Sequence, residues 1–359
     1  MIRTITAVYL RAIVFASVLI CVLCSMLFYS CGDEALVHNP PAPSSNDYFN
    51  WSVECNDLEG ITSISGTVGV NPIYAVNAIH TIFTGGIKNY KITNGTKHEI
   101  NLGDEKFVTS EVKALDENYA IFLGYKNFPP DSAYIKIYDN GHIKNYSTPL
   151  AQGDYLQEIF IIDRDNFFIA NDGGLSYYEF KNNVFKQHLL PNNFTPVKFI
   201  KMNNELYLTA RYEINSFNAF FKIGINREAS LIRTEEPYGR LFFLNNDIIK
   251  VIEDNMFIEF HYFTSNGWTK FYSAWNNSNG EKILHLAGSS KDFFSSITVD
   301  NQYNIHANVW NGTEYSEQDN FPIGLTAFNT LGKVSEFNSN SFYFYHAEAK
   351  RLLKAVKIK

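Results

Sequence analysis

Residues 158–189 decide the fold and read EIFIIDRDNFFIANDGGLSYYEFKNNVFKQHL. The stretch contains four short apolar runs rich in Phe, Tyr and Ile, and Asp, Asn and Gly separate them. Aromatic and β-branched side chains suit a pleated, half-buried surface. We therefore predict four strands: 158–162, 167–170, 175–180 and 184–189. The turn 163–166 joins the first two strands, and Asn182-Asn183 joins the last two.

Asn-centred turns like Asn182-Asn183 recur along the chain. They lie at Asn94-Gly95, Asn140-Gly141, Asn182-Asn183, Asn226-Arg227, Asn266-Gly267 and Asn311-Gly312, with successive spacings of 46, 42, 44, 40 and 45 residues. Asn-Gly supplies the positive φ angles that a type I′ hairpin requires. Four strands in a unit of 40 to 46 residues are typical of propeller blades.

These repeats predict an all-β chain folded as a β-propeller with seven four-stranded blades. The units start near residues 72, 111, 156, 197, 241, 282 and 331. The last unit has only three evident strands, Lys333–Phe337, Phe342–His346 and Leu352–Ile358. We expect an N-terminal strand, Trp51–Cys55 or Ile61–Ser65, to complete it and close the ring, which leaves no free sheet edge. Six or eight blades, a β-sandwich or two β domains are the alternatives.

One blade also resembles a known group of propellers. Residues 161–178, IIDRDNFFIANDGGLSYY, are similar to the sensor propellers attached to two-component regulators. In that group an Asp-x-x-Asn turn precedes an aromatic strand and a Gly-Gly-Leu start. The resemblance covers a single blade of about 40 residues, so it supports the fold rather than an activity.

The N-terminus has the pattern of an export signal. Arg3 and Arg11 precede the apolar run Ala12–Tyr29, and a basic segment followed by an apolar one directs secretion. The run ends in Ser30-Cys31, which resembles the lipobox of bacterial lipoproteins in its relaxed Bacteroidetes form. The alternative is an uncleaved membrane anchor, because 18 apolar residues just span a bilayer.

The lipobox resemblance implies a signal peptide over residues 1–30 and lipid attachment, including palmitate, at Cys31. It places the protein in the bacterial cell envelope, lipid-anchored at the outer membrane and facing either the periplasm or the cell surface. Residues 31–48 are rich in Pro and small polar residues, so we predict a flexible tether. The propeller domain is expected over residues 49–359.

Composition excludes several classes of protein. The net charge is −7 and no run of five basic residues occurs, which argues against a nucleic acid partner. Only Cys55 lies outside the N-terminal segment among the four cysteines. A disulfide framework is therefore not expected, and Cys55 is predicted to be a buried small hydrophobic residue.

Strand order predicts where a ligand would bind. In a four-stranded blade the turns between strands one and two and between strands three and four share one side, which we call the tight-turn face. The loops between strands two and three and the connections between blades form the loop-rich face. Binding usually resides on variable loops held by a rigid scaffold, and candidates on this face are Phe128, Tyr155, Arg211, Tyr212, Tyr238, Arg240, Trp275 and Phe321.

These aromatic residues could stack on sugar rings or contact a protein, or they could merely cover blade ends. Catalytic motifs are missing from the sequence: it has no His-Glu-x-x-His, no Gly-x-Ser-x-Gly and no phosphate-binding Gly-rich loop. No cofactor or metal is therefore expected, and the 163–166 turn is predicted to cap its own backbone rather than bind calcium.

The function expected from the sequence is a membrane-anchored binding module for a glycan, a peptide or an envelope protein. One alternative is a glycan-degrading hydrolase or lyase whose acidic residues converge at the channel mouth. Another is a structural subunit of an envelope complex.

Overall fold

The described part of the chain consists of strands joined by turns. The computed structural model describes residues 47–58, 60–67, 70–77, 88–103, 107–125, 132–149, 155–172, 174–191, 194–202, 204–212, 218–235, 239–244, 247–253, 257–264, 266–275, 281–321, 341–346 and 350–358. Within these ranges no helix is long and apolar enough to cross a membrane. The predicted signal peptide, Cys31 and most of the tether lie outside them.

Twenty-four strands form six antiparallel sheets in which sequence neighbours pair. The blades are, in chain order, β2 Ile61–Thr67, β3 Val70–Asn77, β4 Lys88–Thr93 and β5 Thr96–Glu99; β6 Val108–Asp116, β7 Tyr119–Tyr125, β8 Ser132–Asp139 and β9 His142–Pro149; β10 Tyr155–Asp163, β11 Asn166–Asp172, β12 Ser176–Lys181 and β13 Val184–Leu189; β14 Phe194–Met202, β15 Glu205–Tyr212, β16 Asn218–Ile223 and β17 Ala229–Glu235; β18 Arg240–Phe243, β19 Ile248–Glu253, β20 Phe257–Thr264 and β21 Gly267–Trp275; β22 Lys282–Ser290, β23 Phe293–Val299, β24 Ile305–Trp310 and β25 Tyr315–Glu317.

A seventh sheet joins the two ends of the propeller domain. It has three strands in the order β1, β27, β26, with β1 Phe49–Cys55, β26 Ser341–His346 and β27 Arg351–Lys357. The N-terminal strand β1 pairs antiparallel with β27, from Phe49 opposite Lys357 to Cys55 opposite Leu352. Of the two N-terminal segments considered from the sequence, Trp51–Cys55 therefore takes this place, and Ile61–Ser65 begins the first blade instead.

The all-β propeller prediction is confirmed, but seven four-stranded blades is wrong, because the described residues contain six. The last predicted unit starts near residue 331, and its first predicted strand, Lys333–Phe337, lies outside the described residues. The first blade also starts earlier than predicted, at Ile61 rather than near residue 72.

The Asn-centred turns explain why the hairpins close where they do. Both residues have positive φ at Asn94-Gly95 (48° and 78°), Asn140-Gly141 (51° and 86°) and Asn182-Asn183 (51° and 65°). These are the signs that a type I′ turn requires, and asparagine and glycine reach them most easily. The other three turns differ: residues 224–228 and 311–314 form longer loops, and Gly267 already belongs to β21.

Apolar side chains between neighbouring sheets form the core. Leu123 and Ile135 of the second blade pack with Phe167 and Ile169 of the third, and all four are completely buried. The terminal sheet is held on both sides, since one cluster joins it to the sixth blade and another joins it to the first. Cys55 belongs to the second of these clusters and is 4% exposed, which confirms its predicted role.

Candidate functional site at the loop-rich end of the inner strands

The inner strands share a β-bulge close to the loop-rich face. In five of the six blades the pairing of strand one with strand two shifts by one residue, and the residue that follows the bulge is polar. These residues, which we call the bulge ring, are Ser63, Glu111, Glu158, Lys198 and His285. Each is the third to fifth residue of a strand that starts on the loop-rich face. Bulges often re-aim a side chain next to a functional site.

Charged side chains gather at and next to the bulge ring between the second and fourth blades. Lys198 Nζ lies 3.6 Å from Glu158 Oε1 on the neighbouring blade, with the two side chains 37% and 21% exposed. Burial lowers the pKa of Lys113, two residues after Glu111, to about 8, while the charge of Glu158 opposes the shift and that of Lys198 adds to it. Lys113 therefore lies within electrostatic range of Glu111, Glu158 and Lys198.

In the first blade, serines of β2 stand at and next to the bulge, at Ser63 and Ser65. The backbone N–H of Val112 donates to Ser63 Oγ (3.2 Å), and that of Ala114 donates to Ser65 Oγ (3.0 Å). Both serines are buried, and buried backbone groups require such partners. The first two blades are thus joined by hydrogen bonds at a position where the next blades carry charges.

Arg240 and Glu253 of the fifth blade form hydrogen bonds with the backbone of the sixth blade. Arg240 donates to the carbonyl oxygens of Ile283 and Leu284, the latter at 3.4 Å, and the N–H of Ile283 donates to Glu253 Oε1 at 2.6 Å. Burial raises the pKa of Glu253. Burial, reinforced by the charge of Arg240, lowers the pKa of His285 to about 4, so the imidazole is neutral at neutral pH.

A second group of ionisable side chains lies on the loop-rich face of the sixth blade. His306 Nδ1 is 2.6 Å from Glu317 Oε1, and its Nε2 is 3.4 Å from Asp300 Oδ2. Burial alone would lower the pKa of His306, but hydrogen bonds with these carboxylates outweigh it and raise the pKa. Burial raises the pKa of the nearby Glu281, which accepts a hydrogen bond from Thr298.

The structure places the sequence-predicted site residues in different surroundings. Phe128 and Tyr238, like Cys31, lie outside the described residues. Tyr155 begins β10 and Trp275 ends β21, which puts their backbone at the loop-rich ends of these strands. Their side chains are not among those described.

Two of the predicted residues, Tyr212 and Phe321, do not form an exposed aromatic platform. Tyr212 is half-buried and packs on Phe194, with ring centroids 5.1 Å apart. Phe321 is only 5% exposed and contacts Trp51 edge-on at 4.8 Å. Residue 321 packs inward between the sixth blade and the terminal sheet, as in the alternative in which these aromatic side chains cover blade ends.

The two predicted arginines lie at the loop-rich face, as expected. Arg211 is exposed next to Tyr212 at the end of β15. Among the described residues the carboxylate neighbour of Arg240 is Glu253, at 3.9 Å, because Glu253 ends the strand that pairs directly with β18.

Sequence reasoning missed the bulge ring, although the sequence contains a signal for it. Strict alternation of polar and apolar residues breaks at Thr62-Ser63, Ser110-Glu111 and Gln157-Glu158. Two successive polar residues in a strand that is otherwise half-buried indicate a bulge.

Among the described side chains no three His, Cys, Asp or Glu residues are grouped so that they could hold a metal ion. Asp163 Oδ1 accepts the N–H of Asp165 at 3.0 Å, as predicted for a self-capping turn.

Comparison with known proteins identifies the fold. No family model and no curated protein matches the chain. YCF48 from Cyanidioschyzon merolae aligns with a TM-score of 0.58 and 12% identity over 86% of this chain and 98% of that one. A structure described as YCF48 bound to D1 peptide aligns with a TM-score of 0.57 and 11% identity over 89% of this chain and 100% of that one. Kluyveromyces lactis Hsv2 aligns with a TM-score of 0.52 and 11% identity over 84% of this chain and 94% of that one.

The chain is a β-propeller. At these identities the similarity shows the fold alone, and a shared fold does not imply a shared function.

Proposed function

We propose that the protein is an exported lipoprotein, held at the bacterial envelope by lipid on Cys31, whose β-propeller binds an extended peptide segment of a partner protein. The peptide lies across the loop-rich face and contacts the bulge ring. The observation that carries this proposal is the group formed by Glu111, Lys113, Glu158 and Lys198 on three neighbouring inner strands. Partly buried ionisable groups whose pKa values are shifted by specific charged neighbours are candidates for functional sites.

An extended peptide suits this set of groups better than the other ligand classes do. Its side chains can present both signs of charge at a spacing of a few ångströms, and electrostatic complementarity of this kind sets specificity. One of the structural neighbours is described as bound to a peptide. A glycan would be gripped mainly by aromatic faces, and Tyr212 and Phe321 are packed against the protein itself.

Lipid anchoring is supported by the residues around Cys31 and by the tether that follows. In the lipidated protein, replacing Cys31 with Ser removes the acylated thiol. We expect the wild-type chain to fractionate with membranes and the variant to be released. Membrane retention of Cys31→Ser equal to that of wild type would contradict the anchor.

Peptide binding is tested by applying residues 47–359 to a peptide array and a glycan array in parallel. The fragment starts at Asp47 because this residue is completely buried and is part of the folded domain. We expect binding to a subset of peptides, which weakens when Lys198 is replaced by Glu. Binding confined to glycans, or peptide binding that is indifferent to this variant, would contradict the proposal.

A hydrolase or lyase is the second candidate, and the sixth blade provides its one supporting observation. Burial raises the pKa of Glu281, whereas hydrogen bonds from Asn304 overcome the effect of burial and lower the pKa of Asp300. Carboxyl groups with pKa values shifted in opposite directions are typical of acid–base pairs. Glu281→Gln would abolish cleavage of an arrayed glycan without abolishing its binding. Absence of cleavage by the wild-type protein would exclude this candidate.

A further inference from the structure

The tether joins the propeller on the tight-turn face. Strand β1 is the outer strand of the terminal sheet, and its first residue, Phe49, lies opposite Lys357 near the end of β27. In the six blades this end of a sheet is where strand three turns into strand four. The backbone carbonyl oxygen of Tyr48 accepts a hydrogen bond from the N–H of Ile358 at 2.9 Å. The chain therefore enters the terminal sheet at the position that the turns between strands three and four occupy in the six blades.

Contacts with the sixth blade confirm this position independently. Asn311, which begins the turn between strands three and four, donates from Nδ2 to Tyr48 Oη at 2.5 Å. The rings of Tyr48 and Phe49 lie 6.3 and 6.0 Å from that of Phe293, the residue after the turn between strands one and two. Both tight turns of this blade therefore border the point where the chain enters.

Buried hydrogen bonds also tie residues 48 and 49 to the segment that follows β25. The N–H of Tyr48 donates to Gln318 Oε1 at 2.6 Å, and Asn320 Nδ2 donates to the carbonyl oxygen of Phe49 at 2.6 Å. Asp47 and Asn320 are completely buried. Residues 47–49 thus belong to the folded domain.

From this geometry we propose that the anchored propeller turns its tight-turn face towards the membrane and its loop-rich face, with the bulge ring, away from it. The partner is then a peptide segment presented from the aqueous side rather than a lipid head group or a membrane-embedded segment. This inference rests on the proposed lipid anchor at Cys31.

The length of the tether supports this orientation. Residues 32–46, for which the composition predicts a flexible tether, number 15, and a flexible chain of this length spans about 20–23 Å on average. An inner strand of nine residues such as β6 is about 30 Å long. To bring the loop-rich face to the membrane, the tether would have to run along the whole depth of the molecule, which exceeds its average span.

The two ends of one strand provide a matched pair of probes. Asp292 precedes β23 on the tight-turn face and Asn301 follows it on the loop-rich face, and both are exposed. Each is replaced by Cys in the acylated chain and labelled with a fluorescent donor, while Cys55 is buried and Cys31 is acylated. Vesicles carry an acceptor on their lipid head groups, and energy transfer is measured on the protein that floats with them.

We expect energy transfer from Asp292→Cys to exceed that from Asn301→Cys by at least twofold. Equal transfer from the two sites, or more from Asn301→Cys, would overturn the orientation. Flotation reports only on the anchor. If the acylated chain does not float, the lipoprotein proposal fails, and the same ratio is measured with a hexahistidine tag in place of Cys31 on vesicles containing a nickel-chelating lipid.

Discussion

Trp51 tests whether the N-terminal strand holds the propeller closed. Its side chain is 2% exposed and packs edge-on against Phe321 at 4.8 Å, between the sixth blade and the terminal sheet. A buried aromatic side chain of this size removes about 150–250 Å² from water, which at about 25 cal/mol per Å² corresponds to about 4–6 kcal/mol. Measured losses for Trp→Ala in protein cores are about 3–5 kcal/mol.

We therefore expect Trp51→Ala to lower the free energy of unfolding of residues 47–359 by about 4 kcal/mol. Urea denaturation followed by far-ultraviolet circular dichroism measures it without relying on tryptophan fluorescence. Ser52→Ala is the matched control, since Ser52 is the exposed neighbour on the same strand, and its effect should stay within about 0.5 kcal/mol. If the two variants are equally stable, β1 does not lock the ring and the closure described above is wrong.

Three further variants probe the scaffold. Arg164→Ala removes ion pairs of 2.7 and 2.6 Å to side chains that are partly exposed, so we expect a loss of about 1 kcal/mol in urea denaturation; a loss unchanged at 1 M salt would contradict an electrostatic cause. Because the folded pKa of His285 is about 4 and its ordinary value 6.5, the unfolded chain binds the proton first, and stability should fall as pH drops from 6.5 to 4. In His285→Phe that part of the pH dependence should vanish; an unchanged profile would refute the assignment. A Cβ on Gly288 would lie 2.4 Å from that of Phe294, so Gly288→Ala should cost about 1–3 kcal/mol, whereas a neutral effect in thermal denaturation would show that the strands can separate.

Much of the fold could be predicted because its signals are local. The Asn-Gly turns at residues 94 and 140 require backbone angles that few other residues adopt, so each one marks a hairpin by itself. The pairing of β1 with β27 joins residues about 300 positions apart. Its prediction therefore depended on the need to remove free sheet edges, which left two candidate strands.

The candidate site was harder to predict because its residues depend on pairing between strands. Phe321 has the aromatic side chain expected of a binding face, yet it is buried against the terminal sheet. Glu158 and Lys198 are 40 residues apart and meet only because successive blades place their inner strands side by side. A sequence shows that both are charged but not that they share one level of the propeller.

The salt-linked pair of Glu158 and Lys198 provides the most direct test of peptide binding at the bulge ring. The fourth blade, which contains Lys198, also carries a Lys–Glu pair on its tight-turn face, Lys222 with Glu205. This second pair serves as the control. The measurement is the dissociation constant of an array-selected peptide for residues 47–359 carrying Lys198→Glu or Lys222→Glu. We expect Lys198→Glu to weaken binding at least tenfold, about 1.4 kcal/mol, and Lys222→Glu to change it less than twofold. Equal effects of the two variants, or a larger effect of Lys222→Glu, would contradict the account.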